Sequence, residues 1–536
     1  MARPHCSKGA ASRPPSGNAR KRTRPPRAPP GRRANDPASS DTRGRINTMT
    51  DPAAAPPAAG RVALRRWLGG LRLAYAPILT TYFCYGASGI TGVALLYFQK
   101  DALALTPAEV AGIGFWLGLP WSMKMVAGVA SDVYPILGSR RGAYLLLGAL
   151  GAAAGYATLA TVVGTKAGYL LAMLVITIGF MVQDVVADAL SVQVAETDEE
   201  LGQIQTFGRM ALLAGSISVG YLSGWLAARL GPRATFGVAM ALPLLVAATV
   251  PLIRLSARAA AAPALDEGPL GGGKARLVLG VGLAYGALGV GLEVFDVAYA
   301  QEIVLAVSAA LISLLLKRVG ISRAVVVAAV VIFLFRATPG VGQGYSYWAI
   351  DRLGFDQKFL GLLAQASSIL SLVGLLVFRK TIVERPVSFT LFWVVLAGTV
   401  LYLPSIGLFY GLNESLGISA RTFAFIDTTI SAPLAQLTMV PMLVLIARTA
   451  PRGGEATMFA IMASLMNLAL SASELFTRYL NTTFAVTQAD YSSLGRLMIT
   501  VGTLGLLPLL ALPLLRRHEA RAPRERMEGA MRDGGR

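Results

Sequence analysis

Residues 169–195 read YLLAMLVITIGFMVQDVVADALSVQVA, an apolar run long enough to cross a bilayer, with Asp184 and Asp188 four positions apart inside it. In a helix that spacing puts both carboxylates on one face. A carboxylate facing hydrocarbon is costly, so this face is expected to turn towards a bundle interior or a polar cavity, and the two acids become the first candidates for a functional site. The plainer alternative is that they lie near the membrane surface or satisfy a neighbouring helix.

The composition places this helix among many like it. The chain is 54% hydrophobic and 15% charged, with a mean hydropathy of +0.57, whereas a soluble protein carries about 25% charged residues. A polytopic all-α membrane protein is expected, not a string of soluble domains. Cys6 and Cys84 form neither a disulfide framework nor a metal-ligand spacing, and His5 and His518 lie in the tails. With no P-loop, nucleophile constellation or metal cluster in view, no enzyme chemistry, metal or cofactor is expected.

The net charge of +20 would ordinarily suggest nucleic acid. Half of that excess sits in residues 1–48, a Pro-, Arg- and Ser-rich stretch without apolar periodicity, so nucleic acid is not expected as a partner and the stretch reads as a disordered tail. It lacks the short apolar region of a secretory signal. It can touch anionic lipid head groups, and Met49 offers an alternative start.

The apolar runs fall into a pattern of six, two and six spans. A basic tail (1–66) is followed by a six-helix half (67–254), a Gly-, Pro- and Ala-rich connector (255–276) and two accessory helices (277–318). A second six-helix half (319–515) and a short tail (516–536) complete the expected order. Under this count Arg140, Arg141, Arg254, Lys317, Arg323, Arg385, Arg448 and Arg516 share one side with both termini. Their excess makes that side cytoplasmic.

The two halves share a register. FCYGASGITGVALLYFQKDALAL (83–105) aligns at an offset of 250 with FLFRATPGVGQGYSYWAIDRLGF (333–355), matching Ala87 with Ala337, Gly92 with Gly342 and Asp101 with Asp351. Parallel repeats about an axis along the membrane normal are the mark of a major facilitator transporter. Between the second and third spans, GVASDVYPILGSRRGAY (128–144) sets Gly128 and Asp132 before Arg140 and Arg141. Such a loop can act as a charged gate that breaks when the halves rock, with Gly128 expected to permit close helix approach. Glu474 and Arg478, four apart in the thirteenth span, are expected to pair with each other.

Taken together, residues 97–148, QDVVADAL (183–190), GQIQTFGR (202–209), FRATPG (335–340) and 425–468 resemble the folate-biopterin transporter family. The resemblance implies a proton-coupled carrier of folates, pterins or another organic anion, acting as a monomer in a bacterial inner membrane. It points to Asp184 and Asp188 as coupling acids with Arg209 as their counter-charge, and to Lys124, Arg336, Asp427 and Gln436 as further binding or coupling groups. An arginine can meet a carboxylate bidentately, and Trp121, Tyr345 or Trp348 can stack on a bicyclic ring. A transporter-derived assembly or scaffold protein is the alternative of a different class.

Overall fold

The computed structural model describes residues 72–136, 138–255, 272–295, 297–319, 322–434, 437, 439–449, 455–517 and 519. The basic tail, most of the 255–276 connector, Gln436 and nearly all of the 516–536 tail lie outside them.

Helix boundaries follow local chemistry. After α1 (Ala76–Ala87), a tight 3-10 turn at Ser88–Thr91 and α2 (Gly92–Tyr97), Thr106 opens α3 (Pro107–Ser122) with a capping box to Glu109 and proline at the first turn. Pro120 removes a backbone donor inside α3, and the chain breaks at Met123 before α4 (Lys124–Val133). α5 (Gly142–Thr161) leads to α6 (Lys166–Val194), capped by Thr165, and Thr197 then caps α7 (Asp198–Ala239), whose first turn carries three acids. Gly231, at φ +77°, followed by Pro232, bends α7 sharply before α8 (Ala241–Thr249).

α9 (Gly272–Val294) and α10 (Ala300–Val319) are the two accessory helices. Next come α11 (Arg323–Arg336), α12 (Gly344–Leu353), α13 (Gln357–Glu384), α14 (Val387–Phe409) and the short α15 (Leu412–Ser415). α16 (Ala420–Ser431), α17 (Met439–Thr449), α18 (Glu455–Thr483) and α19 (Leu494–Leu504) complete the series.

Ten helical runs among the described residues are long and apolar enough to cross a membrane. Only 11% of the most apolar window is buried in 357–378 and in 387–409, and Leu376, Val377, Val400 and Leu403 are exposed, as a lipid-embedded protein requires. Leu283 and Leu510, each 74% exposed, belong to the same outward surface. This is an integral, polytopic, all-α membrane protein.

Several expected spans are interrupted among the described residues. The second is cut at Met123, the ninth between Arg336 and Gly344, and in the twelfth the α-helix ends at Ser431, before a 3-10 turn at Ala432–Leu434. The ninth break lies 250 positions after the turn at Ser88–Thr91, in the register the sequence suggested. One buried hydrophobic cluster, around Phe98, Phe115 and Phe180, joins the N-terminal helices to Tyr285, Val304 and Leu475, and others lie around Ile332 and Met462 and around Tyr347 and Leu494.

Candidate functional site

The acid-bearing helix is held by backbone contact. A methyl on Gly179 would lie 2.5 Å from the Gly148 carbonyl oxygen, so α5 and α6 meet backbone to backbone and fix where the last turns of α6 point. Asp184 points at α4 and forms an ion pair with Lys124. The carboxylate side is 11% exposed and the ammonium side 35%. The same ammonium lies over the Trp121 ring, 4.8 Å from its centroid, and Trp121 packs on Tyr85 at 5.4 Å.

One turn further, Asp188 is exposed and accepts a hydrogen bond from Tyr82. The Tyr82 ring rests on Gly208, where a Cβ would come within 2.7 Å of it. Arg209, the expected counter-charge, is exposed and makes no ion pair among the described residues. The counter-charge of Asp184 is instead Lys124. The break at Met123 starts a new helix at that residue and turns its side chain towards α6.

Gly208→Ala is expected to displace Tyr82 and remove a hydrogen bond to a carboxylate, worth about 1.5–3 kcal/mol. Transport should fall roughly tenfold or more with helix content intact, and Tyr82→Phe should match it. An uptake assay with circular dichroism on the same preparations checks both variants.

The N-terminal and C-terminal helices meet along α3 and α18. Asn467 of α18 donates to the Trp121 carbonyl at 2.9 Å, beside the break. Moving away from the break, Gly118 faces Ser471, Gly114 faces Glu474 and Gly112 faces Arg478. A second seam joins α7 to α13, where Gly224 and Gly361 meet and the Tyr221 amide donates to Gln365 at 3.0 Å.

Both seams lead to a charged latch between the two groups. Lys100 pairs with Asp351 at 2.7 Å, with only 10% of the lysine side chain exposed. Tyr491 donates to the same carboxylate at 2.6 Å, and Gln488 donates to the Lys100 and Leu105 carbonyls, each at 3.1 Å. The Lys124–Asp184 pair therefore sits just beyond the Trp121–Asn467 contact, on the side away from the latch.

In the C-terminal group, Arg336 ends α11. Its guanidinium reaches the Met439 sulfur at 3.8 Å, and its buried Nε has no partner among the described residues. The broken backbone after it is satisfied by one face of α18. Ser473 donates to the Thr338 carbonyl, Thr477 accepts from the Gly340 amide and Asn481 donates to the Val341 carbonyl, at 2.6, 2.9 and 3.1 Å. These three residues recur every fourth position, a signal present in the sequence but overlooked there.

Asp427 accepts from Ser405 at 2.7 Å and lines a cavity of about 340 Å³ with Tyr402, Ser405 and Ser431. Tyr345 lies close enough to act on this carboxylate and also packs on Trp348, at 5.5 Å. Trp348 is 6% exposed, inside the core, and so is not a free stacking face. Asp427 and Tyr345 thus form a second cluster, apart from Asp184 and Asp188.

Two other expectations are corrected. Glu474 and Arg478 do not pair, because Arg478 donates to Gln301 of α10 at 2.9 Å. Gly128 is not needed for close helix approach, since a methyl there would make only an ordinary 3.7 Å contact with Val185. Asp132 does pair with Arg141, which also donates to Ser131 at 2.6 Å, so this bond lies within the N-terminal group. Arg140 is partly buried, with its Nε unpartnered among the described residues.

Comparison with known proteins agrees with this fold. The chain is similar to solved peptide transporters, including a POT family transporter in complex with a thioalcohol-conjugated peptide (TM-score 0.61, 14% identity, 84% of this chain and 96% of that one). It also resembles the nucleoside transporter NupG (TM-score 0.58, 11% identity, 83% and 99%). Among curated proteins, the Folate-biopterin transporter of Synechocystis sp. is 29% identical over 446 residues, covering 82% of this chain and 81% of the relative. Folate transporter 1 of Plasmodium falciparum is 21% identical over 440 residues, covering 81% and 77%. Residues 86–527 match the BT1 family, and the chain belongs to that family of membrane transport proteins.

Proposed function

We propose that this secondary transporter carries a folate- or pterin-like organic anion together with protons. Its relatives are named for folate and biopterin transport, and its family is one of transporters, not enzymes. The Lys124–Asp184 pair carries the reading. It places a cation and a carboxylate side by side just beyond the Trp121–Asn467 contact, beside the Trp121 and Tyr85 rings and one turn from the Tyr82–Asp188 bond.

A flat heteroaromatic ring with an amino-pyrimidine edge and an acidic tail suits that set. The ring stacks on Trp121, the amino edge meets a carboxylate and the tail meets a cation. Arg336, with no carboxylate partner among the described residues, is the cation of the opposite half. Asp184 or Asp188 exchanges the proton as its counter-charge changes.

In this reading the fourteen spans form two six-helix halves with α9 and α10 between them. Both termini face the cytoplasm of a bacterial inner membrane, the Lys100–Asp351 end faces outward, and the carrier works as a monomer. Asp132, Arg140 and Arg141 then serve the cytoplasmic gate.

The test is uptake by proteoliposomes of labelled folate, biopterin and an unrelated anion, each with and without an inward proton gradient. Accumulation of folate or biopterin that needs the gradient is expected. Equal rates for all three, or no response to the gradient, would overturn the assignment.

A further inference from the structure

The seam between α3 and α18 contains a carboxyl that the proposed cargo site does not use. Glu474 projects from α18 onto the backbone of Gly114, and a methyl on that glycine would lie 2.9 Å from its Oε2. The side chain is partly buried and forms no hydrogen bond or ion pair among the described residues. One turn before it, the buried Ser471 hydroxyl is also unpartnered.

The charges on the packed elements are engaged elsewhere. Arg478, on Glu474's own helix, is held by Gln301, whose amide in turn donates to the Gly112 carbonyl at 2.9 Å. Glu302 of α10 accepts from Tyr479, and Glu109 of α3 is occupied by Thr106 and Lys166. Lys317 is about 24 Å along α10 from Gln301 at 1.5 Å per residue. On α11, Arg336 reaches Met439 and Arg323 lies at the opposite helix end. Arg448 of α17 is outside the described side chains.

An ionised carboxylate set against the Gly114 backbone in a transmembrane seam, without a donor or cation among the described residues, is unfavourable. The neutral acid fits the same space. Glu474 also lies between two bodies that must separate for access to alternate, so its surroundings differ between the closed and parted seam.

We infer that Glu474 is a proton-binding site that must be filled before the latch end of the transporter can close. When the seam parts, water reaches the carboxylate and it ionises. Taking up one proton from that water gives the neutral acid, and α3 can then close over it. Gln301 keeps Arg478 one turn away, so arginine does not replace the proton. This assigns the accessory helix pair a share in the coupling.

The inference rests on the transport reading but not on the cargo, and its test needs no cargo. Spin labels are placed at Val162 and Leu416, exposed on either side of the latch end, in protein held in nanodiscs. In otherwise wild-type protein the ratio of long to short distances is expected to rise with pH, by up to about tenfold per unit for one linked proton. Glu474→Gln should stay at the short distance throughout, and Glu474→Asp should keep the response at a displaced pH. A wild-type pH response retained in Glu474→Gln would overturn the inference, as would wild-type distances that ignore pH. Failure of folate uptake alone would sink the cargo and leave this result standing.

Discussion

Replacing Asp184 with alanine is expected to abolish transport and to lower stability measurably, the largest single effect foreseen in this chain. The substitution leaves the Lys124 ammonium in a membrane helix without its carboxylate. Removing one partner of a buried pair costs about 3–5 kcal/mol, and the partial exposure of Lys124 puts the expected loss near the lower figure, about 3 kcal/mol. Lys124→Met should be similarly harmful, because it leaves Asp184 charged one turn from Asp188.

The informative variant is the double replacement Lys124→Gln with Asp184→Asn. It removes both charges and should recover most of the stability, while transport stays absent because neither charge remains to meet cargo or proton. Thermal unfolding in detergent and uptake on the same four proteins form a double-mutant cycle. Recovery of transport in the double variant would reduce the pair to a structural tie.

The second large effect is expected at the latch. Asp351→Ala removes the Lys100 ion pair and the Tyr491 hydrogen bond together. Loss of a hydrogen bond to a charged group is worth about 1.5–3 kcal/mol, so the ratio of open to closed states at this end should rise roughly 10- to 150-fold. Gln365→Cys, in the α7–α13 seam, provides the reporter. Its reaction with a membrane-impermeant maleimide should be slow in the parent and fast with Asp351→Ala. Exchanging the charges, Lys100→Asp with Asp351→Lys, should restore protection only in part. The exchanged aspartate would stand beside Asp101, and the new lysine could not accept from Tyr491. Unchanged labelling in Asp351→Ala would show that the seams alone keep this end shut.

The sequence disclosed the class of fold through apolar length and the relation between its two halves through register. Asp101 and Asp351 matched because both end a first helix, and the helix interruptions fall at the same offset. It disclosed charges less well as pairs, because pairing depends on which way a broken helix turns. Glu474 and Arg478 satisfy the i, i+4 rule, yet Gln301 of a helix remote in sequence takes the arginine. Arg209 is near Asp188 in the chain, whereas Lys124 is brought to Asp184 by the break at Met123. The interruption after Arg336 looked like continuous apolar sequence because its unsatisfied backbone is repaired by side chains about 135 positions away. The periodicity around the interruption itself carries no trace of such a repair; its signal lies in the remote Ser473, Thr477 and Asn481.

That repair has a mechanical consequence. One face of α18 is sewn to the broken backbone behind Arg336 and the other bears on the glycine groove of α3, so the helix works as a tie-rod. Any tilt that slides the groove must pull on Thr338, Gly340 and Val341, and so change how far the Arg336 guanidinium reaches. The position of that arginine is therefore geared to the seam.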